Sequence, residues 1–126
     1  MAKISIKQNP TFKIDVEIPR IGDKPVKVPF VFAYRDREEL AEFADSGLQH
    51  GKELRELIEK ESTVREISSK SEEFQVKQIE LIVKGWGFDD ELNEENIRAL
   101  VRSYAAVPDA IIGAYQESYN KARQGN

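Results

Sequence analysis

Few residues in this chain are equipped for chemistry, and their spacing suits none of the common sites. Asp89-Asp90-Glu91 is a dense run of carboxylates, and such a cluster could hold a divalent cation or share a proton. A calcium loop, however, sets oxygen ligands at alternating positions around an essential glycine. Here the acids are consecutive and precede a helical pattern, where negative charge suits the positive end of the helix dipole. They read as a solvated helix entry. His50 is the only histidine. A general base needs a positioned partner, and no serine or acid sits in a recognisable nucleophile motif. Leu48-Gln49-His50-Gly51 looks instead like a helix C-terminus, where a histidine meets the dipole. The absence of cysteine excludes a disulfide framework, a thiolate zinc site and a cysteine nucleophile. Gly85-Trp86-Gly87 has neither phosphate-loop nor dinucleotide-loop spacing. No catalytic, cofactor-binding or metal-ligating residue is expected, and the chain reads as one that works by contact.

The candidates for contact are large apolar side chains. Trp86, the only tryptophan, is held between two glycines and followed by Phe88. Tryptophan is over-represented at interface hot spots. Val28, Phe30 and Phe32 share one face of a strand pattern, and a lone two-stranded sheet with such a face is marginal unless covered. Either the chain's own helices cover it or another subunit does. Val28, Phe30, Phe32, Trp86 and Phe88 are therefore the expected residues of partner contact or self-association. Whether Trp86 pins the C-terminal helices or faces a partner stays open at this level.

These residues need elements to position them. Residues 12–19 alternate apolar and polar with period two, the pattern of a half-buried strand. A second strand is expected from about Val26 to Tyr34. Arg20 to Pro25, rich in turn residues, would join the two as a loop of about four to six residues. Pro29 has no N–H to donate, which predicts an edge position or a bulge. Ile4 and Ile6 suggest a short extra strand. Asp36 with Glu39 forms a capping-box pattern opening a helix. Gly47 and Gly51 predict a stop near His50, followed by a second helix over about Lys52 to Ser68. Ser68 to Ser71 either end it, with Ser69 and Glu72 capping a third helix that reaches Gly85, or only expose a polar face. Asn93 caps a helix bearing Ile97, Leu100, Val101 and Tyr104, and Pro108 suits the first turn of the last helix. The expectation is α+β: a single domain over residues 1–126, with a β-hairpin region (1–35) and a mostly α-helical body (36–126) of about four to five helices.

Composition sets limits on partners. Of 126 residues 40% are hydrophobic and 33% charged, ordinary for a globular protein. No apolar run approaches the roughly 20 residues needed to span a bilayer, and no secretory signal is evident, so no membrane partner is expected. Net charge is −4 but uneven. Residues 1–35 hold seven Lys/Arg against three Asp/Glu, while residues 36–73 hold six against twelve. The acidic segment repels phosphate, so no nucleic-acid partner is expected. A dipolar charge distribution of this kind also favours head-to-tail association of copies.

In order and spacing the chain resembles the tail assembly chaperones of long-tailed bacteriophages and prophages. The resemblance rests on Phe12 to Pro19, Val28 to Glu38, Gly85-Trp86 with Asp89-Asp90, Asn93 to Ile97, Tyr104, Ala110-Ile111 with Tyr115, and the ending Ala122 to Asn126. It implies a non-enzymatic scaffold without cofactors, acting in the cytoplasm of the bacterial host and absent from the mature virion. The implied partners are the tape measure protein, which it would coat, the tail tube protein, which it would recruit, and further copies of itself. In many members a programmed frameshift adds a second domain to a minority of copies, and an ending at Asn126 is expected of the short product. The alternative is a small intracellular protein-protein interaction or regulatory domain unrelated to phage tails.

Overall fold

The computed structural model describes residues 4–123. The period-two alternation forms the expected antiparallel hairpin, β1 (Thr11–Arg20) and β2 (Asp23–Ala33). It is longer than its turn residues suggested. Only Ile21 and Gly22 lie between the strands, and Gly22 takes a φ of 71°, which glycine reaches without a Cβ clash. Lys24 and Pro25 are absorbed into β2, while the ladder shifts register between Ile18 and Arg20, at Pro19.

A third strand, β3 (Val83–Trp86), was not expected. It pairs antiparallel with β2 through Phe30↔Trp86, Val31↔Gly85 and Phe32↔Val83. The sheet order is β1-β2-β3, so β2 is central and Pro29 does not mark an edge. Pro29 is tolerated because it lies just past the Phe30↔Trp86 pair, where its carbonyl accepts the Gly87 N–H at 2.8 Å. The bulge on that side falls between Val31 and Phe32, two positions further on. The extra strand at Ile4 and Ile6 is not formed; residues 4–10 pair with no strand along Ile4 to Lys7.

The helices are α1 (Arg37–Glu59), α2 (Val64–Ile82), α3 (Glu94–Ser103) and α4 (Ala106–Arg123). Asp36 caps α1 as expected, with both capping-box bonds made. The expected stop near His50 is absent, and α1 runs through Gly47 and Gly51. A glycine in a helix interior costs only about 1 kcal/mol relative to alanine, too little to end a helix whose neighbours are good formers. The real break comes at Lys60 to Thr63. Glu61 turns to φ 58°, and the Thr63 hydroxyl accepts the Glu66 N–H at 3.1 Å. Ser68 to Ser71 stay inside α2, so Ser69 caps nothing. Asn93 caps α3, its side chain accepting the Asn96 N–H at 2.8 Å. Pro108 sits in the first turn of α4.

Among the described residues, α2 and α4 lie against the sheet, and α3 packs on both of them. Val16, Ile18, Val28, Phe30 and Phe32 meet Val76, Ile79 and Ile82 of α2, Ile97 and Val101 of α3, and Ile111 and Tyr115 of α4 in one core. Full burial of each large apolar side chain contributes about 1.5–3 kcal/mol. α4 lies along β1, whereas α1 buries only Phe43 and packs on α2. The architecture is α+β.

Candidate contact surface

Trp86 ends β3 directly opposite Phe30, and this register decides its surroundings. Its ring meets Phe30 edge-on at 6.3 Å and Phe88 edge-on at 5.1 Å, and Phe88 in turn stands edge-on to Phe30 at 5.9 Å. Edge-to-face aromatic pairs at these separations are favourable. The indole N–H donates to the carbonyl of Asp90 at 2.8 Å, which closes the 87–90 turn over the ring. The Asn96 side-chain amide donates to the Glu91 carbonyl at 2.7 Å, tying that turn to α3. Gly87 permits the path. A Cβ there would lie 2.6 Å from both Cγ and Cδ of Pro29, closer than side-chain atoms approach.

The other side of Trp86 opens on a groove of about 480 Å³ between the hairpin tip and α3. Pro19 and Ile21 form one wall, Leu100 and Tyr104 the opposite wall, and Trp86 and Phe88 the floor. Ile21 is 74% exposed at the tip. Asp90 lies at the rim beside the exposed Asp89 and Glu91, and Arg20 lines the hairpin side.

Of the five residues expected at a contact, the structure brings Trp86 and Phe88 to this groove, each half-buried. Val28, Phe30 and Phe32 are 5%, 0% and 0% exposed. The chain's own helices cover the hairpin face, which is the first of the two coverings the sequence left open. Ile21, Leu100 and Tyr104 were not singled out as contact residues. An isoleucine placed in a turn was the available signal for the first; the helical spacing of the others pointed only to packing.

His50 is far from this groove, stacked on Phe74 between α1 and α2 at 4.1 Å and 6°. Burial lowers its pKa, Glu53 opposes that shift, and Lys70 adds to it. Asp89, Asp90 and Glu91 are exposed, and among the described residues no group of three or more His, Cys, Asp or Glu converges as a metal site would. Among the described residues no helix is long and apolar enough to cross a membrane.

An aromatic floor, apolar walls and a charged rim match the make-up of protein contact surfaces, which makes the groove a candidate for one. The family model for phage tail assembly chaperones matches residues 1–126, the full length of the chain. The chain belongs to the phage tail assembly chaperone family. No curated protein and no solved structure gives a significant match. Phage tail assembly chaperones are generally non-enzymatic and act through protein partners in tail assembly, so the alternative of a domain unrelated to phage tails falls away. For this chaperone the groove beside Trp86 is a candidate contact.

Proposed function

We propose that this chaperone self-associates, coats the tape measure protein before the tail tube encloses it, and recruits tail tube subunits. It acts in the host cytoplasm and is left out of the finished virion. The observation that carries this reading is the family match along the whole chain. The surface supports it. A coat that must later be displaced needs many modest contacts, and a shallow groove with a charged rim offers contacts of that kind. The α1–α2 pair also exposes Leu48, Ile58, Val64 and Leu81, apolar area set among charges on two long helices.

The experiment is co-expression with the tape measure protein of the same phage. The tape measure protein is expected to stay in the supernatant and to co-purify with the chaperone, and to precipitate when the chaperone is omitted. A tape measure protein that behaves identically with and without the chaperone would overturn the coating role.

A further inference from the structure

β1 is an edge strand with nothing paired to its outer side. In the sheet order β1-β2-β3 only β2 lies beside it. Among the described residues no hydrogen bond from another element reaches the outer side of its backbone, and the tyrosines of α4 bond beyond it, at Ala33 and Arg35. The Tyr34 N–H donates to the Pro10 carbonyl at 2.8 Å, which makes these two a hydrogen-bonded pair at the mouth of the β1–β2 ladder. Such pairs alternate along an antiparallel ladder. Phe12, Ile14, Val16 and Ile18 therefore turn their N–H and C=O groups to β2, and Thr11, Lys13, Asp15 and Glu17 turn theirs outward. Pro10 and Pro19 bracket that run. An edge with a row of unmet backbone groups is a template for another strand.

The side chains along this edge carry unpaired charge. Lys13, Asp15 and Glu17 are exposed on the face turned away from the core. Glu17 stands opposite Lys27 of β2, but Lys13 and Asp15 stand opposite the uncharged Val31 and Pro29.

We propose that β1 pairs antiparallel with β1 of a second copy about a two-fold axis at Ile14, which joins the two sheets into one. The inference rests on the self-association proposed for this chaperone and supplies an interface for it. Lys13 of each copy lies opposite Asp15 of the other, an ion pair on either side of the axis. Thr11 and Glu17 pair beyond them, so all four outward-turned residues gain a partner strand. On the core face the half-buried Ile14 side chains meet at the axis, and the half-buried Phe12 lies beside Val16 of the second copy.

Charge selects this register over its neighbours. A slip of one residue sets apolar side chains on the charged face. An axis at Lys13, Asp15 or Glu17 places that residue against its own copy, like charge on like. An axis at Val16 opposes Asp15 to Glu17. An axis at Phe12 leaves Asp15 and Glu17 beyond the Pro10 end of the second strand. A parallel two-fold pairing sets every charge on its own copy. The axis at Ile14 opposes unlike charges and uses the whole free edge, and the contact it makes is isologous.

The test uses the full chain in light scattering across a concentration series, with amide hydrogen exchange to locate the contact. Wild type is expected to grow beyond the 14.4 kDa monomer, and the N–H groups of Lys13, Asp15 and Glu17 to gain protection as it does. Lys13→Glu sets carboxylates together on either side of the axis, and Asp15→Lys sets ammonium groups together. Each single variant is expected to need at least about tenfold more protein to associate. Both side chains are exposed and face uncharged residues of β2, so folding is retained. An equimolar mixture of the two variants should associate as wild type does, because every pair across the axis then joins unlike charges. The double variant Lys13→Glu/Asp15→Lys should recover alone for the same reason. Single variants that associate like wild type, or a mixture that does not recover, would overturn the edge pairing and leave self-association standing. An associated wild type with those three amides unprotected would do the same. A wild type monomeric at every concentration would overturn both edge pairing and self-association, with the coating role read separately from co-expression.

Discussion

Tyr115 donates its hydroxyl proton to the carbonyl of Ala33 at 2.9 Å, across 82 positions of sequence. Beside it the Tyr119 hydroxyl accepts the N–H of Arg35 at 2.9 Å, and the two phenol oxygens lie 3.2 Å apart. This pair ties α4 to the end of β2, where the chain leaves the sheet for α1. Phe12, Phe32 and Phe43 surround the Tyr115 ring.

Tyr115→Phe should cost about 1–2 kcal/mol, since a part-buried carbonyl loses its donor. Its pH dependence is more diagnostic. Burial, and next the Tyr119 hydroxyl, push the Tyr115 pKa well above 10.0. The unfolded chain ionises this phenol near 10.0 and the folded chain does not, so the stabilisation is complete below that pH and declines as pH rises through it. Urea titrations at pH 8 and pH 10.5 should show a larger alkaline loss in wild type than in Tyr115→Phe. Equal losses would count against a buried, neutral Tyr115.

Gly87→Ala should destabilise the protein by about 2–3 kcal/mol, because its Cβ would press into the Pro29 ring and separate β3 from β2. Gly85→Ala is the control. There a Cβ would sit 3.4 Å from Val31, and the expected cost is below about 1 kcal/mol. Thermal melts of the two variants that coincide would remove the steric account of Gly87.

The different fates of these glycines show what was legible in the sequence. The hairpin, the Asp36 and Asn93 caps and Pro108 in the first turn of α4 were readable, because period-two alternation and capping act over a few residues. β3 was not readable. Val83 continues the apolar run of α2 without punctuation, and its strand partner lies about 50 residues earlier in sequence. Gly47 and Gly51 looked like stops because local propensity cannot weigh the tertiary support of α1 on α2. Thr63 with Glu66 carried the true boundary at the same spacing as Asp36 with Glu39, though with no glycine beside it. For the contact surface, Trp86 and Phe88 could be singled out by type. The groove wall at Ile21 could not, since it depends on how the hairpin tip meets α3.

That mismatch can be measured. A Cβ at Gly47 or Gly51 meets nothing within 4 Å, so alanine at both should stabilise the protein by about 1–2 kcal/mol through helix propensity. Thr63→Ala, which removes the cap of α2, should destabilise it by about 1 kcal/mol. Helicity by circular dichroism and the urea midpoint report both. If the glycines marked a break after all, the double alanine variant would lose stability.

His50 gives an acid-side prediction. Its pKa is lowered chiefly by burial against Phe74, so the folded chain resists a proton that the unfolded chain takes up near 6.5. The neutral ring's contribution is present above pH 6.5 and is lost as pH falls below it. Between pH 7.5 and pH 5.5 the melting temperature of wild type should fall more than that of His50→Phe, which keeps a ring for stacking and cannot titrate. Identical falls would place the acid sensitivity elsewhere.

Trp86 serves both the fold and the groove, and two substitutions separate the roles. Trp86→Phe retains a ring on Phe30 and Phe88 but loses the bond to the Asp90 carbonyl, for an expected cost of about 1 kcal/mol. Trp86→Ala also empties the groove floor, and for a half-buried ring the expected cost is about 2–3 kcal/mol. If the groove contributes to the proposed self-association, Trp86→Ala should lower the mass seen in light scattering at a concentration where the variant is still folded. Trp86→Phe should stay closer to wild type. A folded Trp86→Ala that keeps both the wild-type mass and its binding to the tape measure protein would confine Trp86 to holding the 87–90 turn against the sheet.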